Sequence, residues 1–255
     1  MSLQFVLHHW QPDRLDPGKA FERFRRRTGL KPPFSWRPFA VAAAVILGAF
    51  LFYRHQNAWV EYAAYDTVQS FTLHDGTRIT MAPGAKVALQ PHKNDRLVTM
   101  AGQVHYSVFH DEVRPFTVRA SGLEVQVLGT VFSVTERMGE TRVEVAEGTV
   151  SVSAAGSSLI LHAGEAAVLA GDELEKRTAF PNPSALSSGR FVYEAVPLEE
   201  VLSELSAFYG VSFTASPADG RLTAEFETDM GAERIAELIS LAMHVEITLK
   251  KSDTL

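Results

Sequence analysis

The sequence predicts a multi-domain chain: a single transmembrane helix, then an all-β domain, solenoid-like or sandwich, then a small α+β domain of order β-α-β-β-α-β. Three observations predict it. "PFAVAAAVILGAFLFY", Pro38 to Tyr53, carries no charge. From Phe71 to about Ala170, short runs alternate apolar and polar residues and are broken by glycines. Beyond Gly189 helical spacing appears between strand-like runs. At 255 residues the chain is long enough for more than one core.

The tail, residues 1–36, is basic. Residues 1–37 hold eight Lys or Arg against three Asp or Glu, while the whole chain has a net charge of −6. That balance excludes a general nucleic-acid binder. "DPGKAFERFRRRTG" reads as one short helix in which Asp16 caps, Pro17 begins and Gly29 ends. Ala20, Phe21 and Phe24 make an apolar patch among Arg23, Arg25, Arg26 and Arg27. Two readings compete here: a helix that binds a protein partner and orders on binding, and a basic segment resting on anionic lipid.

Residues 37–54 read as the membrane span, with the lipid bilayer as partner. Sixteen uncharged residues cover about 24 Å as a helix, a little short of a ~30 Å hydrocarbon core. Trp36 and Tyr53 suit the two interfaces, and Arg37 and Arg54 bracket the stretch and can snorkel outward. A buried core helix is the competing reading, and the lack of any polar face opposes it. A cleaved signal peptide does not fit, because the preceding region is too long and no A-x-A site follows. Only Arg54 follows the span within twenty residues. The N-terminus is therefore expected in the cytoplasm, with the domains across the inner membrane, in a Gram-negative periplasm.

Residues 55–70 read as a connector with helical character. In the all-β domain, 71–171, "LEVQV" sets Leu123, Val125 and Val127 on one face, and "GQVHYSV" does so for Val104, Tyr106 and Val108. "VLGTVFSV" and "VEVAEGTVSV" read as strands meeting at hairpin glycines, Gly129 and Gly148. Residues 172–189, polar and rich in Pro and Ser, read as a linker. In 190–252, Leu198, Val201, Leu202, Leu205 and Phe208 share one helical face closed by Gly210. A second helix, "ERIAELISLAM", turns Ile235, Leu238, Ile239 and Ala242 inward, with Thr228 or Asp229 as its cap.

No catalytic constellation is present: no HExxH, P-loop, GxGxxG or GxSxG, and no Cys. His8 and His9 are badly spaced for helical ligands, and His105 and His110 read as surface or turn residues. No metal, cofactor or conventional enzyme activity is expected.

The segments "LHDGTRITMAPGAKV", "RLVTMAGQVHYSV", "RPFTVRASGLEVQVLGTVFSV", "RVEVAEGTVSV" and "LHAGEAAVL" resemble the FecR family of transmembrane anti-sigma regulators. "FVYEAVPLEEVLSELSAFYGVSF" resembles the short N-terminal domain of secretins and TonB-dependent receptors. The resemblance implies an inner-membrane signal transducer. Its periplasmic part would sense an occupied TonB-dependent outer-membrane receptor through that receptor's signalling domain. Its tail would hold and release or activate an extracytoplasmic-function sigma factor, usually in iron or other nutrient uptake. The tail here is shorter than the usual pattern. Phe21, Phe24, Arg23 and Arg27 are then the sigma-factor contacts. Val245, Ile247 and Leu249 of "HVEITLK" are candidates for receptor contact by strand addition. Some members of the family cleave themselves at a Gly-Thr bond, which makes Gly129 and Thr130 the candidate site. The alternative is a membrane-anchored module binding glycan or envelope. Its aromatics, Phe71, Tyr106, Phe109, Phe116 and Phe132, form no row, and three of them read as core.

Overall fold

The structure, a computed structural model, describes residues 16–29, 37–56, 59–90, 94–137 and 139–251. Met1–Tyr53 and Arg54–Leu255 are two compact units. Trp36, His8 and His9 lie outside the described residues.

In the first unit, helix α1 (Pro17–Thr28) has the ends its sequence predicts. Asp16 Oδ1 accepts from Gly18 N at 3.0 Å and Lys19 N at 3.2 Å, and Gly29 closes the helix in the left-handed region at φ 67°. Helix α2 (Arg37–Gln56) starts at Arg37 and holds Arg54 in its last turn. Its side chains from Phe39 to Tyr53 are all exposed. Among the described residues no helix is long and apolar enough to cross a membrane.

In the second unit the alternating runs become two seven-stranded sheets. The first sheet holds β1 (Val60–Ala63), β4 (Lys86–Gln90), β5 (Asn94–Ala101), β7 (Phe116–Ala120), β8 (Leu123–Val127), β11 (Thr149–Ala154) and β12 (Ser157–His162), in that order. The second holds β2 (Gln69–Thr72), β3 (Arg78–Met81), β6 (Gln103–Ser107), β9 (Val131–Arg137), β10 (Glu140–Glu147), β13 (Glu165–Ala170) and β14 (Glu173–Thr178), again in chain order. All pairs are antiparallel except β5 with β7. The chain lays down a strand or a hairpin in one sheet, crosses to the other and advances. The domain is a sandwich built by solenoid-like winding, so both sequence readings describe part of it.

Alternation fixes the faces. Leu123, Val125, Val127, Val104, Tyr106 and Val108 all enter one core shared by the two sheets. Tyr106 packs between Phe132, centroids 5.0 Å apart, and Phe116 at 6.0 Å. Phe71 is only half-buried and Phe109 is exposed.

Two boundaries differ from the sequence reading. In the connector 55–70, His55 and Gln56 are helical as the end of α2, and from Trp59 on the chain is extended. The connector contains β1 and the start of β2, because Ala64 is buried and Tyr62 stacks on Phe71 at 4.3 Å. The linker 172–189 is also structured. β14 completes the second sheet, with Lys176 paired to Glu165 across the strands at 2.7 Å, and α3 (Ala185–Ser188) buries Ala185 and Leu186. β14 escaped detection because an edge strand facing water alternates charges rather than apolar residues.

The last module keeps the expected order: β15 (Arg190–Pro197), α4 (Leu198–Tyr209), β16 (Val211–Ser216), β17 (Arg221–Glu227), α5 (Ala232–Met243) and β18 (Glu246–Lys251). Its strands form two pairs, β15 with β17 and β16 with β18. Gly210 ends α4 as expected. The start of α5 differs: Gly231 occupies the cap with no side-chain bond, not Thr228 or Asp229. Ala242, expected inward, is exposed, while Ile235, Ala236 and Ile239 are buried.

Candidate functional site

Gly129 and Thr130 are not in a hairpin. β8 belongs to one sheet and β9 to the other, so Leu128–Thr130 is a crossing between sheets. Gly148, between β10 and β11, is a second crossing, at φ 90°. Winding brings the two Gly-Thr pairs side by side. Thr130 is buried, and its hydroxyl donates to the Thr149 carbonyl at 3.0 Å. Gly129 lacks the positive φ of a turn glycine. Its requirement is space, since a Cβ there would stand 2.5 Å from His110 Cα and 2.6 Å from His110 Nδ1. The His110 imidazole, exposed as the sequence suggests, also lies against the Gly129 side of the candidate bond, with Glu112 Oε1 3.6 Å from its Nε2. A groove of about 430 Å³ opens here, lined in part by His110, Leu128, Gly129, Thr130, Thr149 and Ile160.

The segment after β14 joins the sandwich to the last module. Phe180 N donates to Glu144 Oε1 at 2.8 Å on the sandwich. Asn182 N and Nδ2 donate to the two Glu204 oxygens of α4 at 2.7 and 3.1 Å, and Asn182 Oδ1 accepts from Val192 N at 2.8 Å. Arg142 lies over the Phe180 ring, 4.0 Å to the centroid, and Arg137 donates to Ala207 O at 3.0 Å, in the last turn of α4. A cation at that end also suits the helix dipole. Alongside is a cleft of about 850 Å³ whose walls include Arg78, Thr80, His105, Ser184, Arg190 and Asp229. His105 is buried there, not a surface residue, because the Pro183 region covers that face of β6.

Burial pushes the Glu204 carboxyl up to about 7; the Asn182 donors oppose the shift, and the nearby Glu144 carboxylate adds to it. Burial pushes His105 down to about 4 against the pull of its bond to the Pro183 carbonyl. The signs oppose. Glu204, raised from 4.5, holds its proton more tightly when folded, so its contribution is full below pH 4.5 and declines as pH rises toward 7. His105, lowered from 6.5, contributes fully above pH 6.5 and loses stability as pH falls toward 4. Between 4.5 and 6.5 the two cancel. In Glu204→Gln, urea unfolding should show stability rising with pH across that window by ~1 kcal/mol per unit. In His105→Gln it should fall by a similar amount, and parallel profiles in the two variants would refute the assignment.

The sequence-derived partner residues fall in separate places. Phe21 and Phe24, one helical turn apart on α1, are exposed, as are Arg23 and Arg27. Val245 is buried, and Ile247 and Leu249 pack on the module's core. Contact along β18 would therefore come from its main chain and from exposed Glu246, Thr248 and Lys250. Among the described residues β18 pairs only with β16, so its other edge is open. Tyr53, at the end of the apolar stretch of α2, is exposed.

Residues 63–151 match the family model described as FecR protein. No curated protein matches the chain. Two crystal structures, at 1.65 and 2.50 Å, of a candidate anti-sigma factor from Parabacteroides distasonis ATCC 8503 resemble it. Each is 22% identical with a TM-score of 0.55, and the match covers 76% or 77% of this chain and all of that one. At that identity the likeness concerns the fold. The family match begins inside β1 and ends inside β11, so it takes in both Gly-Thr crossings and most of the winding. The chain carries a FecR-family domain.

Proposed function

We propose that this protein is an inner-membrane anti-sigma regulator, with α1 in the cytoplasm and the sandwich and last module in the periplasm. The FecR-family domain supports the class. The observation that carries the cytoplasmic half is α1: a capped helix presenting exposed Phe21 and Phe24 beside arginines. Such a face suits a groove on an extracytoplasmic-function sigma factor. α2 crosses the bilayer in this reading; snorkelling arginines and local thinning accommodate its short apolar stretch. In the periplasm the signalling domain of a TonB-dependent receptor, serving iron or other nutrient uptake, adds a strand to the open edge of β18. The full chain in detergent should capture the sigma factor encoded beside it. Phe21→Ala with Phe24→Ala should weaken capture at least ~10-fold, as for two apolar anchors. Capture at the level of the unaltered chain would defeat the α1 reading.

A second reading is self-cleavage at Gly129–Thr130, favoured by the imidazole against Gly129. The Thr130 hydroxyl attacks the Gly129 carbonyl carbon, and the C–N bond breaks. The freed amine takes the hydroxyl proton, and water then hydrolyses the ester. Blots of tagged protein should show two fragments, lost in Thr130→Ala; one full-length band in both would exclude it.

A further inference from the structure

The two ends of the winding are chemically unlike. At the far end the edge strands are β12 and β14, where, apart from Ile160, the exposed positions are polar: Ser157, Ser158, Glu173, Lys176 and Arg177 among them. That is how a wound β domain keeps its last coil soluble. At the near end the edge strands are β1 and β2, and the segment 59–72 runs from one to the other across the end of the sandwich. Here Trp59, Val60, Tyr62, Tyr65 and Val68 are exposed, Tyr65 by 79%. Tyr62, Tyr65 and Phe71 converge on one hollow of about 550 Å³. Two tyrosines and a tryptophan on an open sheet end call for a cover that is apolar at one depth and wet at another.

We propose that this end of the sandwich rests in the headgroup layer of the bilayer, with Trp59, Tyr62 and Tyr65 as its interfacial anchors. The inference rests on the reading of α2 as a span. Residues 57 and 58 alone join Gln56 to Trp59, so covalent geometry limits that separation to ~10 Å. The first coil thus emerges at the lipid surface carrying the residue types that partition there. Glu61 is paired with Lys86 at 3.3 Å, and Asp66 is exposed, so the surface suits zwitterionic rather than anionic headgroups.

The test uses the full chain in phosphatidylcholine vesicles. Trp10→Phe, Trp36→Phe and Trp59→Tyr remove the native indoles while keeping an interfacial residue type at position 59, and Tyr65→Trp, at an exposed position, installs one probe beyond the span. Alkaline carbonate extraction reports anchoring independently. With the chain anchored, the expected result is loss of most probe emission to lipids brominated near the headgroup, and protection from aqueous iodide. An anchored chain whose probe is quenched by iodide and not by bromolipid overturns the docking and leaves the span standing. Protection from both quenchers points to a second copy or another protein as the cover and also overturns it. Release by carbonate overturns the span and the docking together.

Discussion

Asp75→Ala should cost the protein about 3–5 kcal/mol, the usual penalty for stripping one partner from a buried ion pair. Arg96 and Asp75 are almost wholly buried, at 2% and 6% side-chain exposure, and the guanidinium bonds the carboxylate directly. Around them the loop is closed by short bonds. Thr77 N and Oγ1 both donate to Asp75 at 2.9 Å, Thr77 Oγ1 accepts from Phe109 N at 3.1 Å, and Arg96 donates to Phe109 O at 3.2 Å. The Phe116 ring supplies a face 5.6 Å from the guanidinium carbon. Truncating Asp75 takes the carboxylate away from a buried cation. Thermal melts should show a fall in Tm on the order of 10 °C. Adding Arg96→Met should return part of it, because an apolar side chain of similar length removes the stranded charge. A loss below ~1 kcal/mol in Asp75→Ala would mean the pair does not hold this end together.

Gly129→Ala should cost at least ~3 kcal/mol for a steric reason alone. The new methyl would meet His110 Cα at 2.5 Å and Cβ at 2.6 Å, so shortening the imidazole does not relieve it. Nor can the chains part easily. Val108 N donates to Thr130 O at 3.0 Å on one side, and Asp111 N to Leu128 O at 2.7 Å on the other. Gly148→Ala offers the contrast: its neighbours are 3.1 and 3.3 Å away, but its φ is 90°. Conformational strain should cost it ~1–2 kcal/mol. His110→Ala in the Gly129→Ala background should recover little. Full recovery would show that the ring, not the main chain, is the obstacle.

Element type was legible wherever one face meets the core. Leu123, Val125 and Val127 announce β8, and the face from Leu198 to Leu205 announces α4. Asp16 and Gly29 mark both ends of α1 because capping is local. What could not be read is what depends on distant chain. Gly129 looks like a turn because sequence shows two strands and a glycine, not which sheet each strand joins. His105 looks exposed because polar positions on a strand usually face water, and only the docked Pro183 segment buries it. Asp75 and Arg96 are twenty-one residues apart, and nothing in local pattern says that a carboxylate in a Gly turn belongs to an arginine at the start of another strand. Glu204 sits on the apolar side of α4, where Asn182 supplies its donors from outside the helix.

The chain-ordered winding bears on how the chain folds as it is made. Each strand of the sandwich pairs with strands no more than three places away in the chain, from β1 with β4 to β10 with β13. As the polypeptide emerges from its N-terminal side, every hairpin therefore finds its neighbour already in place or about to follow. No early strand has to wait, open-edged, for a partner made near the end, as it must in a Greek key. Long-range pairing is what slows β proteins and exposes them to aggregation. A growing chain can thus assemble coil upon coil, and the last module docks when the stack beneath it is complete.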